Sequence, residues 1–253
     1  KGKVALVTGG ARGIGAEVCR QLAAAEAAVC VNYYPSDIDR NAAKALEAEI
    51  TAREKTPVML YEADVSDHQA VSGMVAAIDA RFGRLDIVVN NAGILISSPF
   101  EKLQDDQWQK MIHVILDGAF YVCSSAVPLM LRQNSGSIIM ITTNCTINGG
   151  GGSAAYPAAK AGVEGLAKSL VVEYAARGIR TNIIQPAVID TDMFRQRYPT
   201  DEDVAAYGQK MPVGRVGKPV DIANAVVFLA SDKSSYICGL SMQVDGGRTF
   251  YKK

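Results

Sequence analysis

Short, uniformly apolar runs alternate with longer stretches of helical spacing along the whole chain. "KVALVTG" (3–9) is β-rich, apolar and stopped by a glycine, a pattern that predicts a strand buried on both faces. Residues 14–24 then bring Ile14, Val18, Cys19 and Leu22 onto one helical face. The same reading predicts further strands at 28–33, 57–64, 85–93, 136–142, 179–186 and 240–247. Helices are expected between them, at about 38–53, 66–82, 101–133, 154–177 and 219–231. Ser66 and Gln69 stand in capping-box spacing and are expected to open the third helix. The 101–133 stretch is long enough to contain a bend, and the 154–177 helix should end near Gly178.

Strict β–α alternation dictates parallel strands, because right-handed crossovers lay the helices on the faces of the sheet. The fold class is therefore α/β, a doubly wound parallel sheet with helices on both faces, expected as a single domain over residues 1–253. Ligands of such a sheet sit at the carboxyl ends of its strands.

Composition removes several alternatives. Basic and acidic residues balance at 26 each, which argues against nucleic acid or an anionic membrane surface as the partner. The five cysteines are an odd number without a CxxC, so neither a disulfide framework nor a zinc site is expected. His68 and His113 are far apart and outside any motif, and no metal site is expected from them. No uninterrupted apolar run approaches the ~20 residues of a membrane span, and a cytoplasmic enzyme is the expectation.

Candidate chemistry is concentrated in two stretches. "TGGARGIG" (8–15) places Gly9, Gly13 and Gly15 between the first strand and the first helix. Such a turn brings backbone close to a pyrophosphate, whose charge the helix N-terminus favours. "TTNCTINGGGGSAAYPAAK" (142–160) joins a hydroxyl pair, four glycines, and a tyrosine four residues before a lysine. Spaced by four on a helix, Tyr156 and Lys160 share a face. A free phenol titrates near about 10, too high for a base at neutral pH, and a neighbouring ammonium is expected to lower it. The glycines at 149–152 are expected to let the 144–153 loop pass close to substrate or cofactor, plain flexibility being the alternative. Cys145 lies where it could line that pocket or serve as a small apolar filler.

"TGGARGIG", "NNAG" (90–93) and "YPAAK" (156–160) occur in the order and at about the spacing of the short-chain dehydrogenase/reductase family, which the chain resembles through to its "VDGG" ending. The resemblance implies a single Rossmann-type domain of seven parallel strands, a nicotinamide cofactor, and interconversion of a secondary alcohol and a ketone. Tyr156 would then be the acid/base, Lys160 its tuner and a ribose ligand, and Thr143 the hydroxyl on the substrate oxygen where the family usually has serine. Thr142 should face away. The implied cofactor contacts are Gly9, Gly13, Ile14 and Gly15 at the turn, with Asp64 and Val65 at the adenine. Asn90, Asn91, Ala92 and Gly93 would lie beneath the cofactor, and Pro186, Val188, Ile189, Thr191 and Met193 beside the carboxamide.

At the end of the second strand, Tyr33 and Tyr34 occupy the place of the acid that would select NAD. With Arg12 available for a 2′-phosphate and Asn32 and Ser36 as neutral donors, NADP is expected and NAD is the alternative; Asp37 could be a displaced ribose ligand or a helix start. Two departures stand out: Ile115 holds the position of the family's relay asparagine, and Ala187 replaces a glycine. They motivate the competing expectation of a catalytically impaired nicotinamide-binding protein. Residues 192–213 would form a mobile flap. The family likeness further implies a homotetramer, with a dimer as alternative. Among substrates it points to 3-oxoacyl carriers or sugars and polyols; an acidic carrier would need a basic patch, and Arg132, Arg177 and Arg195 are dispersed.

Overall fold

Residues 1–251 are described by a computed structural model. Seven strands form one sheet: β1 (Val4–Val7), β2 (Ala28–Tyr33), β3 (Val58–Glu62), β4 (Ile87–Asn90), β5 (Gly136–Ile141), β6 (Ile179–Pro186) and β7 (Ser241–Val244). Their order is β3-β2-β1-β4-β5-β6-β7, and every pairing is parallel. Strand order reverses between β1 and β4, the place where a doubly wound sheet opens a crevice.

Period-2 alternation sends successive side chains of each strand to opposite faces. Val4 and Leu6 join one core while Ala5 and Val7 join the other. In the same way Ile138 and Met140 part from Ile139 and Ile141 on β5. The first core is closed by α3 (His68–Phe82), α5 (Gly118–Gln133) and α7 (Ala155–Tyr174), through side chains such as Met74, Met130 and Val163. The second is closed by α1 (Gly13–Ala24) and α10 (Pro219–Ala230), through Val18, Leu22, Ile222 and Val226. Burial on both faces explains why the central strands β1, β4 and β5 read as largely apolar runs. Each fully buried aliphatic side chain contributes roughly 1.5–3 kcal/mol.

Predicted and observed elements differ at their ends. β1 and β4 stop at Val7 and Asn90, because the chain there leaves the ladder to build turns. The Ser66–Gln69 capping box does not form. Asp67 caps α3 instead, its carboxylate accepting the N–H groups of Gln69 and Ala70, while Ser66 Oγ donates to Asp64 at 2.7 Å. An Asp one position later reaches the same free amides, so it wins the role. The 101–133 stretch is a 3₁₀ turn (Phe100–Lys102), α4 (Asp105–Ile112), a five-residue π-helical turn (His113–Asp117) and α5, so the expected bend is the π turn. By length and composition residues 105–133 could span a bilayer, with mean hydropathy 1.7, yet half of the apolar window is buried inside the fold.

The stretch read as a loop holds α6 (Cys145–Asn148) before the glycines, and the segment read as a flap holds α8 (Asp192–Arg195) and α9 (Asp201–Gly208). Between β2 and β3 runs α2 (Asp37–Glu54).

Candidate active site

At the end of β1 the chain turns on glycines into α1. A Cβ on Gly15 would lie 2.2 Å from the Gly9 carbonyl oxygen, so no other residue fits there. Gly9 and Gly13 have φ of 59° and 55°, the left-handed region glycine favours. The first turn of α1 carries no acidic side chain, which leaves its N–H groups and dipole for an anion. Thr8 and Asn91 hold the turn to β4. Asn91 Nδ2 donates to the carbonyls of Thr8 and Gly9 at 3.0 and 3.1 Å, and Thr8 Oγ1 accepts the N–H groups of Asn91 and Ala92. This backbone-lined cradle at a helix N-terminus fits the pyrophosphate of a dinucleotide.

The second half of the site is α7 and the loop before it. Pro157 is tolerated in the first turn of α7, where its missing N–H is no loss. Tyr156 and Lys160 share a face, with Nζ 6.0 Å from the centroid of the phenol ring. Lys160 is buried, and its Nζ donates to the Ile141 carbonyl at 2.7 Å. Burial lowers the Lys160 pKa to about 8, and burial together with Cys145 raises that of Tyr156. The expected acidification of the phenol is thus not produced by these two side chains alone. The amine is hydrogen-bonded to a carbonyl, and burial dominates at the hydroxyl.

The four glycines acquire a concrete reason. Gly149, Gly151 and Gly152 have φ of 73°, 102° and 78°. A Cβ on Gly151 would meet Tyr156 Cδ1 at 3.2 Å and Cys145 Sγ at 3.4 Å, so the loop is pressed against the phenol ring. The Gly152 carbonyl accepts the Ser98 N–H at 2.9 Å and the Ser97 hydroxyl at 3.1 Å, which pins the loop. Plain flexibility is the wrong description of it. Thr143 is buried with Oγ1 accepting the Cys145 N–H at 3.2 Å, so its own proton remains available. Thr142 faces away and donates to Glu164 at 3.0 Å.

Not every expected ligand is free. Asn32 is buried and saturated: Nδ2 donates to the carbonyls of Ala63 and Tyr61, and Oδ1 accepts the Gly9 N–H. It is a clamp between strands, not a neutral donor for a ribose. Asn90 turns its amide toward the sulfurs of Cys123 and Met140, and Asn91 is the one bonded to the glycine turn. Ser36 caps α2, accepting the Asp39 N–H at 3.1 Å. Asp37 takes the helix-start role and pairs with Arg40. Asp64 accepts from Ser66, Val65 is buried, Tyr33 is buried and Tyr34 exposed. Thr191 Cγ2 lies 3.3 Å from where a Gly13 Cβ would be, which brings the 186–191 segment to the glycine turn; its Ile189 is buried and bridges Gly217, the Pro186 and Val188 carbonyls accept the N–H groups of Asn144 and Gly217, and Met193 is exposed just beyond. Gly93 lies against Lys160, its virtual Cβ 3.5 Å from Nζ.

The profile of the family described as Enoyl-(Acyl carrier protein) reductase matches residues 9–249. The 3-oxoacyl-[acyl-carrier-protein] reductase FabG of Escherichia coli (strain K12) is 38% identical over 247 residues, covering 98% of this chain and 97% of that protein. Its counterpart from Staphylococcus aureus (strain Mu50 / ATCC 700699) is 40% identical over 245 residues, 97% of each chain. The chain belongs to the short-chain dehydrogenase/reductase family. The crystal structure of levodione reductase superposes with a TM-score of 0.91 at 33% identity, over 100% of this chain and 99% of that one.

As a short-chain dehydrogenase/reductase, the protein is a nicotinamide-dependent oxidoreductase acting on a secondary alcohol or ketone. The two departures from the family pattern now have places. Ile115 is buried in the π turn and lines a cavity of about 10 Å³ that Lys160 and Asn90 also border. That is about the space of one water molecule. His113 pairs with Asp117 on the exposed side of the same turn and does not reach the cavity residues. Ala187 follows Pro186 at the end of β6. Sequence reasoning missed three residues that organise the site: Thr8, Glu164 and Asp39. Thr8 is flagged only by its place before Gly9. Glu164, one turn beyond Lys160, accepts from Thr142, Thr146 and Gln185, and nothing in its local sequence marks it.

Proposed function

We propose that Tyr156 is the acid/base of this oxidoreductase, Thr143 its substrate-oxygen donor and Lys160 the positioned cation, within one catalytic domain spanning residues 1–253. The observation that carries the reading is an unbroken line of contacts. Thr143 bonds Cys145, Cys145 and Tyr156 pack on Gly151, Lys160 lies over Tyr156, and Gly93 lies against Lys160 beside the glycine turn.

Bound with its pyrophosphate at the glycine turn, a nicotinamide coenzyme would supply or accept the hydride. In reduction, Tyr156 gives its phenolic proton to the carbonyl oxygen, and in oxidation it takes the proton from the alcohol. Thr143 donates to the same oxygen, holding it toward Tyr156. Lys160, fixed by the Ile141 carbonyl and lying against Gly93, favours the phenolate through its charge and would take the ribose hydroxyls.

NADP is the coenzyme we infer, with NAD as the alternative. Support comes from Tyr33 and Tyr34 in place of an acid at the end of β2, and from Arg12 beside Ser36 and the glycine turn. The substrate we infer is a small free ketone or secondary alcohol. Arg132 is paired with Asp79, and Arg195 with Asp190 and Asp201, so two of the three dispersed arginines are already engaged and a basic patch for an acidic carrier is not favoured. The resemblance to the FabG proteins keeps 3-oxoacyl thioesters as the second substrate class. A homotetramer fits Phe120 on α5 and Val172 on α7, 49% and 86% exposed apolar side chains beside a groove between these helices. The cytoplasm is the location we infer, the apolar 105–133 helical stretch being half buried in the fold. Coenzyme-absorbance assays with cyclic ketones, 3-oxoacyl thioesters and polyols, each with NADPH and NADH or their oxidised forms, test the reading. Turnover of none of them by an enzyme that binds coenzyme would overturn it.

A further inference from the structure

Arg12 does not stand free at the glycine turn. Its Nε donates to Asp39 Oδ1 at 2.7 Å and its Nη1 to Asp192 Oδ2 at 2.7 Å. Asp39 also holds the other group assigned to a 2′-phosphate, since Ser36 Oγ donates to Asp39 Oδ2 at 2.7 Å. One carboxylate therefore sits between the guanidinium and the hydroxyl that would receive the phosphate.

Charge balance limits which ligand this cluster can accept. One guanidinium and two carboxylates sum to −1, while a phosphate monoester at neutral pH carries about −1.5 to −2. A 2′-phosphate can be received only if a carboxylate gives way. The two acids differ in how easily they do so. Asp192 is 65% exposed at the start of a four-residue helix, and such exposed pairs are weak. Asp39 is 17% exposed and tied into the first turn of α2 by the Ser36 cap, so it stays.

We propose that Asp39 is a specificity-determining residue for the coenzyme, its retained charge restraining the preference for a 2′-phosphorylated dinucleotide that Arg12 confers. This rests on reading Arg12 as the 2′-phosphate receiver. The 2′-hydroxyl of a non-phosphorylated coenzyme is a donor and meets no repulsion from Asp39, so the residue acts on the difference between the two coenzymes.

The test is equilibrium binding by titration calorimetry of 2′,5′-ADP, 5′-AMP, NADP⁺ and NAD⁺ to wild type, Asp39→Asn and Arg12→Ala. Asp39→Asn is expected to bind 2′,5′-ADP and NADP⁺ about tenfold more tightly, with 5′-AMP and NAD⁺ unchanged or weaker. Asp39→Ser should move the ratio in the same direction and carries the test if the Asn variant is unstable. Arg12→Ala should weaken the phosphorylated ligands alone. If Arg12→Ala leaves 2′,5′-ADP binding unchanged, the NADP reading fails and the role of Asp39 with it. If Arg12→Ala weakens that binding and neither neutral Asp39 variant strengthens it, the role of Asp39 alone is overturned.

Discussion

Lys160 Nζ donates to the carbonyl oxygen of Ile141 at 2.7 Å, which fixes a buried amine from α7 to the last residue of β5. That one bond orients the cation toward the Tyr156 ring and beside Gly93. Burial of the same amine, not the bond, lowers its pKa.

Burial holds the Lys160 pKa at about 8, below its unfolded value of 10.5. Between those two values the unfolded chain binds a proton that the folded chain does not, so Lys160 adds stability as pH rises from about 8 to 10.5. In urea titrations of the coenzyme-free protein, the stability of wild type relative to Lys160→Met should therefore increase across that window. A constant difference would show that the amine is not desolvated.

Tyr156→Phe keeps the ring that packs on Gly151 and removes only the hydroxyl. Turnover should fall by about 10²–10⁴-fold or more while coenzyme affinity stays within about twofold. Steady-state kinetics and calorimetry measure the two quantities. Retention of a tenth or more of the rate would remove Tyr156 from the proton-transfer role.

Two glycine-to-alanine changes should behave oppositely. Gly151→Ala forces an L side chain into φ 102° and a 3.2 Å contact with Tyr156, so it should cost roughly 1–3 kcal/mol and depress kcat. Gly165→Ala, on an exposed helical position with open space around it, should be neutral or stabilise by up to about 1 kcal/mol. Thermal melts of both variants make the comparison.

Glu164 Oε1 accepts from Thr142, Thr146 and Gln185 at 3.0, 2.8 and 2.8 Å, joining α7 to the ends of β5 and β6 and to α6. Glu164→Ala leaves those donors short of a partner and should destabilise by about 1–3 kcal/mol. Because Thr146 also donates to the Thr143 carbonyl, substrate KM should rise while coenzyme binding holds. Glu164→Gln should recover part of both losses.

Ile115→Asn tests the departure at the relay position. The substitution puts an amide among apolar neighbours and should lower the melting temperature without raising kcat, because the Lys160 amine already has its partner. A several-fold gain in kcat would show instead that proton relay limits this enzyme.

The linear pattern determined a great deal of this protein. Runs buried on both faces, alternating with helical spacing, allow one kind of sheet, and "TGGARGIG", "NNAG" and "YPAAK" fall where its strands end. What it left open depends on groups far apart in the chain. Asn32 and Asn90 look like exposed strand-end amides, and only packing reveals that they are spent on Gly9 and Ala63 in one case and buried sulfurs in the other. Arg12, Asp39 and Asp192 come together across 180 residues, and Glu164 finds its donors on three elements. Hydrophobic periodicity is a local property and survives in one dimension. Charge pairing and desolvation depend on distance in space, and so the charge around Arg12 and the protonation of Lys160 were decided by the tertiary structure.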